Sequence, residues 1–70
     1  MRSNLKNARK KAGMTQQQVA DKLGIVLTHY QKIEAGERTG NYALWDAMED
    51  LFNVHQRVLR ENHPARANSQ

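Results

Sequence analysis

The chain has 70 residues, enough for one small domain with a single core. It contains no cysteine, which excludes a disulfide framework and a thiolate metal site. Its net charge of +4 favours an anionic partner without choosing among polyanions. No apolar run is long enough for a signal peptide or a membrane span, so we expect a soluble, cytoplasmic protein.

The charge is spread unevenly along the chain. The first twenty residues carry five basic side chains and no acidic one, whereas residues 41–53 carry three acidic side chains and no basic one. This polarity suits a domain that turns one face toward an anion such as nucleic acid. A solvated basic helix is the alternative, and charge alone does not decide between them.

The first amphipathic stretch predicts a helix over residues 4–12, with Ser3 or Asn4 as its N-cap. Its inward stripe contains Leu5 but also the charged Arg9. Because burying an isolated charge is costly, we expect Arg9 to have a partner.

Residues 15–23 predict a second helix, which opens with a capping box formed by Thr15 and Gln18. Gln16 and Gln17 lie in its exposed first turn, where free backbone N–H groups suit a phosphate contact. Two solvated glutamines are an equally good interpretation of this helix alone.

A turn at Gly24 leads to a third helix, predicted over residues 27–35. Its inward stripe contains Glu34, a second charge in an apolar setting. We therefore predict that Glu34 pairs with Arg9 and ties the third helix to the first. The outward face is left with polar side chains, which are Thr28, His29, Gln31 and Lys32.

Asn41 is predicted to cap a fourth helix over residues 42–52. Its apolar and aromatic side chains recur at helical spacing, which is more typical of a core than of a ligand cage. The side chains assigned to the core are Tyr42, Trp45, Met48 and Phe52.

A short fifth helix is predicted within residues 54–62. Val58 and Leu59 either cover the core or form a dimer surface. Pro64 prevents continuation of the helix, and residues 64–70 are expected to be a flexible C-terminal tail.

The sequence offers little for catalysis. The three histidines fall in different elements and lack metal-binding spacing. Asp46 and Asp50 could share a helix face, but a solvated acidic face explains them better than a catalytic pair. We therefore expect no enzymatic activity, no metal site and no cofactor.

Two segments carry a resemblance to a known family: GMTQQQVADKLGI (residues 13–25) and HYQKIEAGER (residues 29–38). They resemble the phage Cro and repressor-type helix-turn-helix family, also called XRE-like. The resemblance covers about Leu5 to Leu59. It implies an all-α fold, a compact bundle of five short helices like the lambda repressor DNA-binding domain, over residues 1–63.

The resemblance also implies roles for individual residues. Arg9 and Glu34 match a family ion pair that is partly buried. The side chains expected to read bases from the third helix are Leu27, Thr28, His29 and Lys32. For phosphate contacts the resemblance implies Gln16 and Arg38, to which we add Lys10, Gln17 and Thr39 as further expected contacts.

Two positions depart from the family pattern. Val26 stands where the family usually has a serine or threonine N-cap, so the third helix is less well capped. Leu27 stands where a polar side chain often reads a base, and it can only contact a thymine methyl or pack sideways. Recognition of the DNA base sequence is therefore expected to depend mainly on Thr28, His29 and Lys32.

The implied function is sequence-specific binding of double-stranded DNA by a small transcriptional regulator, a repressor of phage or mobile-element type. Family members bind two-fold operators as dimers, so a homodimer on DNA is expected. Two alternatives stay open. One is an antitoxin that binds both DNA and a toxin protein; the other is a helical protein-interaction adaptor without DNA binding. An anti-repressor is a further protein partner compatible with the first reading.

Overall fold

Five helices and no strand form the part of the chain that the computed structural model describes, residues 1–62. They are α1 (Ser3–Lys11), α2 (Gln16–Leu23), α3 (Leu27–Ala35), α4 (Tyr42–Phe52) and α5 (Gln56–Leu59). The predicted all-α class is thus confirmed. The expected domain end at residue 63 and the tail at 64–70 lie outside the described residues. None of the described helices is both long and apolar enough to cross a membrane.

The start of α1 differs from the prediction. Arg2 is the N-cap, and no side chain caps the helix. Asn4 instead donates from Nδ2 to the Val58 carbonyl at 3.3 Å and to Glu61 Oε1 at 2.6 Å. The Arg2 backbone N–H donates to the Glu34 carbonyl at 3.0 Å. The beginning of α1 is therefore set by contacts with distant parts of the chain rather than by a local cap.

Local signals do set the ends of α2. Thr15 and Gln18 form the predicted capping box, with reciprocal backbone-to-side-chain bonds of 3.1 and 2.8 Å. Thr15 is the cap and not the first helical residue. Gly24 adopts a left-handed conformation at φ 71°, which ends the helix and turns the chain into α3. The side chain of Val26 makes no cap hydrogen bond to α3, as expected for a valine.

Tyr42 is not part of the core, although the spacing of α4 assigned it there. Its side chain is 79% exposed, whereas Trp45, Met48 and Phe52 are buried. A helical side chain covers the turn that precedes its own Cα. Because α4 begins at Tyr42, with Asn41 as the cap, no preceding turn exists for its ring to cover.

α5 is shorter than predicted, since Asn53 and the residues after it form a left-handed turn and a loop before Gln56. Leu59 is fully buried in the core, while Val58 is 38% exposed. Leu59 is therefore not available as a dimer surface, and only Val58 of that pair reaches solvent.

One hydrophobic core joins all five helices. Each helix contributes at least one side chain that is buried. The core side chains are Leu5, Val19, Ala20, Tyr30, Ile33, Trp45, Met48, Phe52 and Leu59.

Candidate nucleic-acid interface

The predicted ion pair between α1 and α3 is present. Arg9 Nε lies 2.9 Å from Glu34 Oε2, and both side chains are buried. The second carboxylate oxygen accepts from Arg9 Nη2 at 3.3 Å and from Gln16 Nε2 at 3.1 Å. The Tyr30 hydroxyl donates to Glu34 Oε2 at 2.8 Å. Glu34 is therefore held by three elements, which are α1, the first turn of α2 and α3 itself.

These contacts change the protonation behaviour of the buried groups. Burial disfavours the charged form of Glu34, but the hydrogen bonds from Arg9, Tyr30 and Gln16 outweigh it and lower the pKa of Glu34. The hydrogen bond to Glu34 in turn raises the pKa of Arg9. Burial, followed by that same carboxylate, raises the pKa of Tyr30. The pair is thus ionised at neutral pH, and its hydrogen bonds hold α3 against α1.

The side chain of Gln16, predicted to contact a phosphate, is held by two hydrogen bonds within the protein. Its Nε2 donates to Glu34, and its Oε1 accepts from Gln31 Nε2 at 3.2 Å. The adjacent Gln17 is exposed and donates to Asp21 at 2.9 Å. The Gln16 side chain therefore links α2 to α3, and its backbone N–H is left for an external acceptor because the first residues of a helix have no internal one.

α3 carries the four side chains predicted to read bases, three in its first turn and Lys32 in its last turn. Thr28 is exposed, while Leu27, His29 and Lys32 are half-buried. Thr28 and Lys32 are four residues apart and so share one face of the helix. Leu27 stands beside them at the first helical position. These four side chains therefore extend from the first to the last turn of a short helix that is anchored through Glu34.

A cleft of about 340 Å³ opens beside this helix, between α1, α2 and α3. Gln16 and Gln31 line it, and so does Lys6, a residue that the sequence analysis did not assign to the site. Lys10, which was assigned, is exposed on α1 and is not among the lining side chains. Lys6 precedes Arg9 by three residues, so the helical period could have placed it on the same face.

Arg38 and Thr39 lie in the loop between α3 and α4, where both are exposed. The loop is anchored by Arg2, whose Nη1 donates to the carbonyls of Ile33 and Arg38, each at 2.6 Å. Thr39 Oγ1 accepts a long bond of 3.4 Å from the Trp45 indole. The loop is therefore fixed at its backbone and leaves the Arg38 side chain in solvent.

Arg2, which anchors this loop, is a residue that the sequence analysis did not assign to the site. It is only 6% exposed, its Nε donates to the Arg60 carbonyl at 3.2 Å, and its guanidinium lies 5.3 Å from the Trp45 ring centroid. Burial, and then the charge of Arg60, lower the pKa of Arg2. A signal was present, because positions 2, 5 and 9 continue one helical stripe backward from Arg9 through Leu5.

Within residues 1–62 no group of three or more His, Asp or Glu side chains could hold a metal ion. His63 lies outside the described residues.

Comparison with known proteins gives one match. No curated protein and no solved structure matches the chain. The model of a family described as Helix-turn-helix matches residues 5–55, well over half of the chain, which covers α2 to α4 completely and α1 from Leu5 onward. Together with the α2–turn–α3 geometry, this match shows that the chain belongs to the DNA-binding helix-turn-helix family of the Cro/repressor (XRE-like) type.

Proposed function

We propose that this protein is a transcriptional repressor, of the kind found in phages and mobile elements, which binds a specific double-stranded operator. The observation that carries the proposal is that α3 is anchored on one side and accessible to solvent on the other. Its buried side is fixed to α1 and α2 through Glu34, while its opposite side holds solvent-accessible polar side chains. A helix held in this way can enter the major groove without reorganising.

Base reading is assigned to α3, from its first residue to Lys32 in its last turn. The Lys32 ammonium can donate to guanine O6 or N7, and the Thr28 hydroxyl can serve either as donor or as acceptor. His29 lies next to Thr28 at the edge of this face. Leu27 offers an apolar contact only. This set is small, which agrees with a module that gains specificity by being doubled.

The phosphate contacts would surround α3 on both sides. Arg38 and Thr39 lie on the loop after it, and the N–H groups of Gln16 and Gln17 lie at the start of α2. Lys10 of α1 adds a positive charge that reaches solvent. Such contacts set the position of a protein on the duplex but carry no sequence information.

A homodimer on a two-fold operator completes the proposal. Two copies would place their α3 helices in half-sites about one helical turn apart. Val58 is the part of the predicted dimer surface that is exposed in the single chain, since Leu59 belongs to the core.

The test is selection of bound duplexes from a randomised library, followed by titration of the best duplex with salt. We expect the logarithm of the binding constant to fall linearly with the logarithm of salt concentration, because neutralised phosphates release counterions. Two-fold symmetric half-sites in the selected pool would support the dimer. If no duplex is enriched, and none binds in a salt-dependent way, the proposed function is wrong.

A further inference from the structure

Val26 is an exposed aliphatic side chain at a place where exposure is unfavourable. It is the N-cap residue of α3 and is 70% exposed. A serine, threonine, aspartate or asparagine there would accept a hydrogen bond from the first turn of the helix, and valine cannot. The free protein therefore carries both a missing cap and an apolar surface in water.

The position of Val26 indicates what could cover this surface. It directly precedes Leu27, the first residue of α3, and the N-terminal residues of such a helix are those that approach base edges. Neither side chain can form a hydrogen bond. The major-groove edge of the four base pairs offers one apolar group, the 5-methyl of thymine. A methylated cytosine carries the same group at the same ring position.

We propose that Val26 is a specificity-determining residue that contacts a pyrimidine 5-methyl group in the major groove, with Leu27 beside it. The proposal rests on the function proposed above and adds the chemistry of one recognised group. In the complex, a methyl group packed against Val26 would remove apolar surface from water, which favours binding.

The experiment uses a duplex selected from the randomised library. Each thymine in turn is replaced by deoxyuridine, which removes the 5-methyl and leaves every hydrogen-bonding group in place. At the sensitive position, cytosine and 5-methylcytosine are then compared. We expect the wild-type chain to lose about fourfold in affinity at one or more deoxyuridine positions. A gain from 5-methylcytosine over cytosine there identifies the methyl itself as the recognised group.

Val26→Ser supplies the decisive variant, because it removes both methyls and introduces a good N-cap. It should fold with a melting temperature equal to or above that of the wild type. It should bind thymine and deoxyuridine duplexes equally at the sensitive position. Tyr42→Ser is the matched control, since it alters another exposed hydrophobic side chain at the start of a helix, here α4, and should keep the wild-type response.

The outcomes separate this inference from the proposed function. If the chain binds no duplex, the proposed function fails. If it binds duplexes but no deoxyuridine substitution weakens binding, only the methyl contact is wrong. The assignment to Val26 is overturned if Val26→Ser retains the wild-type deoxyuridine sensitivity, because another side chain must then contact the methyl group.

Discussion

At the scale of single residues, the Glu34 carboxylate accepts hydrogen bonds from side chains of three different residues. These residues are Arg9, Tyr30 and Gln16, and Glu34 is buried. Removing one partner of a buried pair leaves an uncompensated charge, which costs more than the intact pair contributes. We therefore expect Glu34 to affect DNA binding only indirectly, by holding α3 in place.

This arrangement predicts a pH dependence of stability. The pKa of Glu34 is lower in the folded than in the unfolded chain, so its stabilisation is fully present above the unfolded value of about 4.3. It is lost as pH falls through the lower folded value. The difference in unfolding free energy between wild type and Glu34→Gln should therefore shrink below about pH 4.

The measurement is urea unfolding at a series of pH values. Glu37→Gln is the control, because Glu37 is exposed and its replacement should change stability by at most about 0.5 kcal/mol. A difference for Glu34→Gln that stays constant down to about pH 3 would show that the pair does not stabilise the folded state through ionisation.

At the scale of elements, we expect α3 and the loop after it to contribute differently to DNA binding. The helix carries the side chains proposed to read bases, and the loop carries a solvent-exposed guanidinium on an anchored backbone. Base contacts distinguish sequences, whereas phosphate contacts strengthen binding to all of them. The two elements should therefore respond differently to loss of a single charge.

Lys32→Ala and Arg38→Ala test this division. Lys32→Ala should cost about 1–3 kcal/mol on the selected duplex and less on random DNA, which lowers the specificity ratio. Arg38→Ala should weaken all duplexes alike and reduce the salt slope by about one. Equal losses for Lys32→Ala on selected and random DNA would reassign Lys32 to a phosphate contact. Lys22→Ala on α2 provides a charge-matched control outside the proposed interface.

At the scale of the whole molecule, Arg2 joins parts of the chain that are far apart in sequence. Its guanidinium reaches carbonyls at positions 33, 38 and 60, at the end of α3, in the following loop and just after α5. One planar fork can serve several acceptors at once, which a lysine ammonium at the same place cannot do with the same geometry. The loop that carries Arg38 therefore depends on the second residue of the chain.

Arg2→Lys should consequently destabilise the fold by about 1–3 kcal/mol although the charge is kept. Urea unfolding measures the loss, and amide hydrogen exchange should show faster exchange in the loop at residues 37–40. Arg57→Lys, at an exposed position of α5, should stay within about 0.5 kcal/mol of the wild type. An Arg2→Lys chain as stable and as protected as the wild type would contradict this role.

Much of the fold was predictable because its signals are local. Thr15 and Gln18 fix the start of α2, Asn41 caps α4, and Gly24 and Gly36 end α2 and α3 in left-handed conformations. A cap or a glycine acts within one helical turn, so its effect can be read from neighbouring residues. The same holds for the ion pair, because two charges in otherwise apolar helical stripes need each other wherever the helices meet.

The tertiary structure decided what depends on distant neighbours. Periodicity placed Tyr42 in the core, but the helix begins at Tyr42 and leaves its ring exposed. Periodicity did not decide whether Leu59 covers the core or forms a dimer surface, and the packing of α5 buries it in the core. The spacing of positions 2, 5 and 9 can place Arg2 on the inward stripe of α1, but it does not show that the guanidinium binds three remote carbonyls. A side-chain pattern along one helix reports which face is apolar, but not which parts of the chain come to cover it. For this protein the sequence determined the helices and the family, because capping residues, glycines and apolar spacing act locally, and the tertiary packing determined which side chains remain exposed.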